Sequence, residues 1–278
     1  MQKADIKKYI KEKSFVASKK MGQNFLVNLD IKKRIVEAAE VKKNSLVLEI
    51  GPGLGAITEI ILEKGYELLA IELDKRLYAH LKEKYENNAR FHIVNDDFLT
   101  LNLIKLIYGS NLKPFDEICV IANLPYSISS KIILKFIHLP LIKEAIIMVQ
   151  KEMAERICAK VNTKDYNALT ALVSLFYETK ILFAVGPKNF IPQPKVDSSV
   201  LKLVRKPFVM DEKEQKKLVE FFRLAFQNKR KTLINNLTSV YKKEAVLLTL
   251  KKFQLDLKVR AEALPSSVLY DLFLELNS

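Results

Sequence analysis

The four consecutive residues Asn123-Leu124-Pro125-Tyr126 could do chemistry on an amino group attached to a nucleobase. Such a nitrogen is a poor nucleophile because its lone pair is delocalised into the ring. The side-chain oxygen of Asn123 and a backbone carbonyl could accept both amino hydrogens and so aim the lone pair at an electrophile. Pro125 stiffens the loop and forces Leu124 into an extended conformation, and Tyr126 offers a ring on which a base can stack. The pattern therefore indicates group transfer by positioning, without a titrating side chain.

A glycine-rich segment, Glu49-Ile50-Gly51-Pro52-Gly53-Leu54-Gly55, points to a nucleoside ligand beside this tetrad. Glu72 closes the next apolar run, where a carboxylate can accept hydrogen bonds from ribose hydroxyls. Dinucleotide sites typically use G-x-G-x-x-G, whereas the spacing here is G-x-G-x-G with an acidic residue ahead of it. That arrangement resembles the methyltransferase form and favours S-adenosylmethionine. A plain turn after a strand would explain Asn123 and Pro125, but not their place beside a glycine loop.

Asp97 is a third candidate ligand residue, in the segment Asn95-Asp96-Asp97-Phe98 at the end of another apolar run. A carboxylate at this point can accept a hydrogen bond from the adenine amino group of a cofactor. The alternative role is that of a helix N-cap, and the two roles are compatible.

The elements that must position these residues alternate between apolar runs and helical patterns from Ser45 onward. Ligands bind at the carboxyl ends of the strands in such sheets, so the glycine turn, Glu72 and the tetrad should face one crevice. The predicted strands are 46–50, 68–71, 91–94, 118–121, 145–149, 181–185 and 200–204, and the predicted helices are 56–64, 75–85, 130–137 and 168–177. The last two strands lack a helix between them, which favours a hairpin.

The pattern predicts an α/β protein with a Rossmann-like, doubly wound and mainly parallel sheet and a small all-helical C-terminal domain. From Asp211 onward only helical spacing remains. We expect residues 1–206 to form the main domain and residues 207–278 the helical one. Phe221, Phe222 and Phe226 are expected to be core residues of the helical part, rather than base-stacking residues.

The charge distribution favours a polyanionic partner. The net charge is +14, from 46 Lys and Arg against 32 Asp and Glu. Residues 1–43 carry 12 basic and 5 acidic side chains, residues 44–185 carry 16 and 17, and residues 186–278 carry 18 and 10. A lysine-rich composition alone would raise all three segments, so a neutral middle between basic ends indicates nucleic acid, with solvated surface charge as the alternative.

The cysteines and histidines argue against a zinc site or a disulfide. Cys119 lies in an apolar run and Cys158 has no partner at metal-ligand spacing, and the three histidines are scattered. No apolar run is long enough to span a membrane, and the lysine-rich N-terminus lacks the apolar segment of a secretory signal. We expect a cytoplasmic protein without a bound metal, acting as a monomer.

Several further segments resemble the ribosomal RNA adenine dimethyltransferase family over residues 19–265. The tetrad is one match, and Lys19–Leu26 is similar to the N-terminal motif that caps the cofactor. Phe190–Ser198 is similar to the loop that follows the catalytic strands. The remaining matches are Gln150–Glu152, Ala225–Leu233, Asn235–Leu237 and Arg260–Glu262.

The resemblance implies a role for each site residue. The residues expected to contact S-adenosylmethionine are Asn24, Leu26, Gly51, Gly53, Gly55, Glu72, Asp97 and Asn123. Those expected to hold a flipped adenine are Asn123, Leu124, Pro125 and Tyr126, with the Phe190 ring on the face of the base opposite Tyr126. Those expected to contact RNA are Lys195, Lys229, Arg230 and Lys231, the last three on an amphipathic helix whose alternative role is a solvated face.

The family has two branches, and the loop and basic signatures resemble the bacterial one that dimethylates two adjacent adenines near the 3′ end of small-subunit rRNA during ribosome assembly. Met21, Asp96 and Phe98 depart from the usual pattern around the cofactor. The other branch modifies one adenine of large-subunit rRNA. A catalytically silent assembly factor and a DNA adenine methyltransferase are the remaining alternatives. The intact tetrad argues against the first and the C-terminal signature against the second.

Overall fold

A computed structural model describes residues 23–110, 112, 114–208 and 210–277. Seven strands form one sheet, and their bounds are β2 Ser45–Ile50, β3 Glu67–Glu72, β4 Phe91–Asn95, β5 Glu117–Asn123, β6 Ile142–Gln150, β7 Tyr177–Val185 and β9 Ser198–Arg205. Their order in the sheet is β4-β3-β2-β5-β6-β9-β7. Strands β2 to β6 run parallel, whereas β9 pairs antiparallel with β6. These bounds confirm the predicted mainly parallel α/β sheet.

The central strands are buried on both faces, which explains why their sequences are continuous apolar runs. All six residues of β2 are buried, and so are five of the seven in β5. Strand β2 lies between β3 and β5. The chain continues from β2 to β3 and β4 on one side of it, and then returns to β5 and β6 on the other side. Such a reversal opens a crevice at the carboxyl ends of the strands, and this crevice lies between the ends of β2 and β5.

The helices from Leu29 to Phe176 are short, and several of them have a side-chain N-cap. Asn28 caps the first helix by accepting from Asp30 N and Ile31 N, and Asp74 caps the third by accepting from Arg76 N. The helices are α1 Leu29–Glu37, α2 Thr58–Glu63, α3 Lys75–Lys84, α4 Leu103–Tyr108, α5 Ser129–Ile137, α6 Lys151–Ile157 and α7 Ala168–Phe176. Helices α2, α3, α5 and α7 follow the predicted pattern, whereas α1 and α4 were not predicted.

A second, two-stranded sheet joins distant parts of the chain. Strand β1 (Phe25–Leu26) pairs antiparallel with β8 (Phe190–Ile191). The segment between β7 and β9 therefore contains a short strand and a 3₁₀ turn (Pro187–Asn189). The predicted neighbours β7 and β9 do lie side by side, although this insertion makes their connection longer than a simple hairpin.

The chain divides into two compact units, and the second includes a segment that the sequence prediction assigned elsewhere. One unit contains the described residues up to Ala154 together with Lys180–Val204, and the other contains Glu155–Thr179 and residues from Arg205 onward. The helical unit's longer stretch begins at Arg205, close to the predicted boundary at residue 206. The segment Glu155–Thr179 belongs with the helical unit because α7 packs against α8 and α11.

The helical unit has an aromatic core. Its further helices are α8 Glu212–Ala225, α9 Leu233–Leu237, α10 Lys243–Lys252 and α11 Ser266–Asn277. Phe221 and Phe222 are buried, and the Phe221 ring meets that of Phe273 at 5.6 Å between centroids. Phe226 is half-buried, edge-on to Tyr166 at 5.9 Å. The prediction that these phenylalanines are structural is confirmed. No helix in the described ranges is long and apolar enough to cross a membrane.

Candidate active site

A cavity of about 510 Å³ opens at the carboxyl ends of β2, β3 and β5. Its wall is formed by the glycine loop, the end of β3, the loop after β4, the tetrad and β1. The predicted site residues that line it are Asn24, Leu26, Gly51, Gly53, Glu72, Asp97, Asn123, Leu124, Pro125 and Tyr126. One crevice thus collects all the predicted cofactor residues but one, and the whole tetrad.

The three loop glycines have positive φ angles but differ in what surrounds them. At Gly53 (φ 62°) an added Cβ would lie 3.2 Å from the Phe25 ring. At Gly51 (φ 67°) it would meet only Pro125, at 4.0 Å, so the backbone there faces open space. At Gly55 (φ 77°) it would lie 2.7 Å from Leu81, and this glycine is absent from the cavity wall of the described chain. Gly55 allows close packing of the loop on α3 and does not face the cofactor cavity.

Glu72 is a buried carboxylate held at the rim of the cavity. Its Oε2 accepts from Gly53 N at 3.0 Å and its Oε1 from Asp74 N at 2.8 Å. Burial raises the pKa of Glu72, while these backbone donors lower it. A carboxylate has about four lone-pair directions, and the backbone donors do not use all of them, so Glu72 can still accept from a hydroxyl donor on a ligand. This geometry fits the ribose contact predicted for Glu72.

Glu49 lies deeper in the cavity and is expected to be largely protonated at neutral pH. It is fully buried, and its Oε2 accepts from Thr58 Oγ1 at 2.6 Å. Burial raises the pKa of Glu49 to about 8, with a smaller contribution from Glu72. The sequence identified Glu49 only as part of the glycine motif, and its link to Thr58 was not predicted.

The loop after β4 presents Asp97 to the cavity. Asp97 Oδ1 accepts from Leu99 N at 2.9 Å, and the Asp97 carbonyl accepts from Thr100 N and Leu101 N. The helix N-cap alternative is wrong, because Asn102 caps α4 by accepting from Lys105 N and Asp97 shapes only the turn before it. The other Asp97 oxygen is open to a ligand, and its contact with a cofactor stays a prediction. Phe98 is buried beneath the loop, so its ring replaces the smaller residue of the usual pattern without blocking Asp97.

The tetrad is held so that hydrogen-bond acceptors face the cavity. Asn123 Nδ2 donates to the Asn24 carbonyl at 3.1 Å, which turns Oδ1 away from that contact. The carbonyls of Pro125 and Tyr126 accept from Ile128 N and Ser129 Oγ. The preceding Leu124 carbonyl has no such partner among the described residues, so it and Asn123 Oδ1 can both accept hydrogens from a ligand.

Tyr126 is anchored through its hydroxyl. Tyr126 Oη and Ser198 Oγ lie 2.6 Å apart, and Ser198 is fully buried at the start of β9. Burial raises the pKa of Tyr126, so the phenol stays neutral. The sequence placed Ser198 in a family motif but gave it no role.

The N-terminal motif is described only in part. Lys19, Lys20, Met21 and Gly22 lie outside the described residues, whereas Asn24 and Leu26 line the cavity. The Asn24 carbonyl anchors Asn123, and Leu26 is buried in β1. Asn24 and Leu26 therefore line the cavity, and their contact with the cofactor stays a prediction.

Phe190 is buried in the hydrophobic core and is not on the described cavity wall, so its predicted contact with a base stays a prediction. Its Cα is paired with that of Leu26 across β1 and β8, its side chain is 1% exposed, and it packs in the hydrophobic core. It is not among the described residues that line the cavity. Strand pairing with Leu26 thus holds Phe190 in the core.

The four predicted RNA-contacting residues are exposed. The three that were predicted to lie on a helix do not lie on one. Lys195 lies in the loop before β9. Lys229, Arg230 and Lys231 occupy a turn between α8 and α9, which corrects the predicted amphipathic helix. The helix ends because residues 227–231 are all polar and give it nothing to bury. Asn236 Nδ2 instead donates to the carbonyls of Ala225 and Asn228 and holds the turn together.

The described residues contain no group of three or more His, Cys, Asp or Glu side chains that could hold a metal ion. Burial also raises the pKa of the Cys119 thiol in β5.

A family model described as "Ribosomal RNA adenine dimethylase" matches residues 14–278. The chain belongs to the ribosomal RNA adenine dimethylase family. It is 52% identical, over all of its 278 residues and 98% of the relative, to "Ribosomal RNA small subunit methyltransferase A" of Ureaplasma urealyticum serovar 10.

Two solved structures share this dimethylase fold. A dimethyladenosine transferase from Plasmodium falciparum matches with a TM-score of 0.73 and 30% identity, over 91% of this chain and 97% of that structure. The 23S rRNA methyltransferase ErmE matches with a TM-score of 0.65 and 25% identity, over 92% of this chain and all of that structure. The resemblance seen in the sequence is thus confirmed at the level of family and fold.

Proposed function

We propose that this dimethylase transfers methyl groups from S-adenosylmethionine to N6 of two adjacent adenines near the 3′ end of small-subunit (16S) rRNA, giving N6,N6-dimethyladenosine during ribosome assembly. The observation that carries the proposal is the single cavity shared by Glu72, Asp97 and the tetrad, in a chain 52% identical throughout to a small-subunit rRNA methyltransferase. An rRNA substrate also supports the predicted cytoplasmic location.

The cofactor half of the cavity suits an adenosyl group. Glu72 can still accept from a ribose hydroxyl, and Asp97 keeps one oxygen for the adenine amino group. Leu73 and Phe98 add apolar walls. Bound S-adenosylmethionine supplies an electrophilic methyl group on a sulfonium sulfur.

The tetrad then does its work by positioning the target amino group. In the first transfer Asn123 Oδ1 and the Leu124 carbonyl accept the two amino hydrogens, which leaves the nitrogen lone pair directed at the methyl group. In the second transfer the nitrogen has one hydrogen left, and only one of these two acceptors is used. The Asn123–Asn24 bond fixes which end of the amide faces the base. The Tyr126 ring offers a face on which the flipped base stacks. Ring burial keeps the phenol neutral, so Tyr126 stacks and does not titrate.

The test is methyl transfer from labelled S-adenosylmethionine to undermethylated small subunits, with large subunits and naked rRNA in parallel, followed by nucleoside analysis. Dimethyladenosine in small subunits alone, at two per subunit, is the expected result. In the Asn123→Ala variant we expect transfer to fall by about 100-fold or more while cofactor binding persists. Asn87→Ala, at an exposed turn far along the chain from the tetrad, is the control. Unchanged transfer in Asn123→Ala would rule out the positioning mechanism.

A second candidate is methylation of one adenine in large-subunit rRNA. It is favoured by the match to the 23S rRNA methyltransferase ErmE along the whole of that chain. Label found in large subunits, together with macrolide resistance on expression in a sensitive host, would establish it in place of the first.

A further inference from the structure

The loop that presents Asp97 depends on a lysine from another element. Lys135 Nζ donates to the carbonyls of Phe98, Leu99 and Leu101, at 2.5, 3.2 and 2.6 Å. An ammonium group has three N–H donors and no acceptor, so one side chain satisfies three carbonyls of one turn. Thirty-four or more residues separate the lysine from each of them in sequence, and no local pattern indicated the contact.

The surroundings of Lys135 show that this ammonium is built in and is not a surface charge. It is half-buried, and its Nζ lies 4.8 Å from the centroid of the Phe98 ring. Phe98 in turn meets Phe136, the neighbour of Lys135, edge-on at 6.1 Å. Burial lowers the pKa of Lys135, whereas Asp97 and Asp96 raise it. The charge therefore also offsets the repulsion between two adjacent carboxylates at the cavity rim.

Lys135 also connects the two halves of the site. It lies near the end of α5, whose first residue, Ser129, comes three residues after Tyr126 and donates to the Tyr126 carbonyl. Ile132, Ile133, Phe136 and Ile137 bury the other face of α5 and fix its position. The helix therefore leads from the tetrad at its start to the Asp97 loop at its end.

We propose that Lys135 is a positioning residue for cofactor recognition. By fixing the three carbonyls that follow Asp97, it holds the Asp97 carboxylate where the adenine amino group of S-adenosylmethionine binds. This inference rests on the proposed function. It predicts that Lys135 acts on affinity for the adenosyl group through Asp97, and not on affinity for RNA.

The experiment measures binding of S-adenosylhomocysteine by calorimetry, and KM values for S-adenosylmethionine and for small subunits. We expect Lys135→Met to weaken S-adenosylhomocysteine binding about tenfold, the effect of losing hydrogen bonds to a charged donor. The KM for S-adenosylmethionine should rise in parallel, while the KM for small subunits stays within about twofold. Lys135→Arg, which keeps a cation with several donors, should restore part of the affinity.

Two comparisons separate positioning from general destabilisation. Lys131→Met removes an exposed lysine one turn earlier on α5 and should bind S-adenosylhomocysteine like the parent protein. In an Asp97→Ala background, Lys135→Met should cause little further loss, because the two residues act on one contact. Circular dichroism checks folding at the assay temperature. If Lys135→Met is unfolded, Lys135→Gln is measured in its place with the same expected direction.

Each outcome bears on one proposal. Parent-like binding by Lys135→Met, or full additivity with Asp97→Ala, would overturn the role of Lys135 even if the enzyme methylates small subunits normally. Failure of the parent protein to methylate any rRNA, while Lys135→Met still lowers S-adenosylhomocysteine affinity, would overturn the proposed function and leave the role of Lys135 intact.

Discussion

At the scale of single residues, hydrogen-bond partners distinguish the two buried carboxylates of the site. Glu49 and Glu72 both end strands at the cavity, yet their partners differ. Glu72 accepts two backbone N–H groups that stabilise its ionised form, whereas Glu49 has the Thr58 hydroxyl and a nearby like charge. The site thus pairs a carboxylate whose ionised form is stabilised by backbone donors with one that is expected to be largely protonated.

The raised pKa of Glu49 predicts a pH-dependent free energy of unfolding. The folded pKa is about 8, against an ordinary value of 4.5. The unfolded chain therefore ionises first, and stability falls as pH rises from about 4.5 to about 8. The slope from this group approaches about 1.4 kcal/mol per pH unit. We expect Glu49→Gln, which keeps an acceptor for Thr58, to remove that slope in urea unfolding curves measured across this pH range.

Glu63→Gln, at an exposed position near the end of α2, is the control for this measurement and should keep the slope of the parent protein. An unchanged slope in Glu49→Gln would mean that Glu49 is ionised in the folded protein.

At the scale of elements, apolar runs predicted the strands well, because a parallel sheet buries both faces. Helix α1 was missed since the buried Lys32 interrupts its apolar face, and α4 because it has only six residues. The pairing of Leu26 with Phe190 joins two-residue strands far apart in sequence. No local pattern encodes such a contact, so the burial of Phe190 in the core was not predictable from its own segment.

The tetrad itself was predictable because its four residues are contiguous, whereas its anchors come from other elements. Asn24, Ser198 and Lys135 meet the loop or its neighbours only through tertiary packing. Local spacing therefore indicated the chemistry of the site, and only the fold revealed what holds its parts in place.

The hydrogen bond between Tyr126 and Ser198, at the start of β9, predicts that a substitution outside the tetrad lowers the rate of methyl transfer. Ser198→Ala removes the partner of the Tyr126 hydroxyl and lets the ring move, so we expect kcat to fall about five- to tenfold with cofactor affinity unchanged. Tyr126→Phe should lower kcat by a similar factor, and the double variant should be no worse than either single one. Single-turnover methylation of small subunits measures these rates.

The control is Ser199→Ala, which removes the next buried serine of the same strand. Neighbouring residues of a strand point to opposite faces, so Ser199 faces away from Tyr126 and its loss should leave kcat unchanged. Equal losses in the two serine variants would show that packing of β9, and not the Tyr126 hydrogen bond, sets the rate.

At the scale of the whole molecule, the chemistry and the charge lie in different parts of the chain. The segment that supplies the glycine loop and the tetrad is close to neutral, whereas residues 186–278 carry 18 basic and 10 acidic side chains. The turn at 229–231 concentrates three of these cations on an exposed surface that Asn236 holds from beneath. Lys229 also donates to the Lys164 carbonyl, which fixes one end of the turn. A rigid cationic turn suits phosphate contacts that orient a folded RNA without reading its sequence.

This arrangement predicts that replacing Lys229, Arg230 and Lys231 together by Ala weakens binding to small subunits and makes it less sensitive to salt. Each lost phosphate contact lowers the slope of log K against log[salt] by about 0.7 to 0.9, so the slope should fall by about 2 to 3. S-adenosylhomocysteine affinity should not change, because the substituted side chains are not among those that line the cavity.

The matched control replaces Lys213, Lys216 and Lys217, three exposed lysines on α8 of the same unit, and removes the same charge. If both triple variants lose affinity and slope equally, RNA responds to the net charge of the unit and not to the turn. A loss confined to the first variant identifies the turn as the phosphate contact.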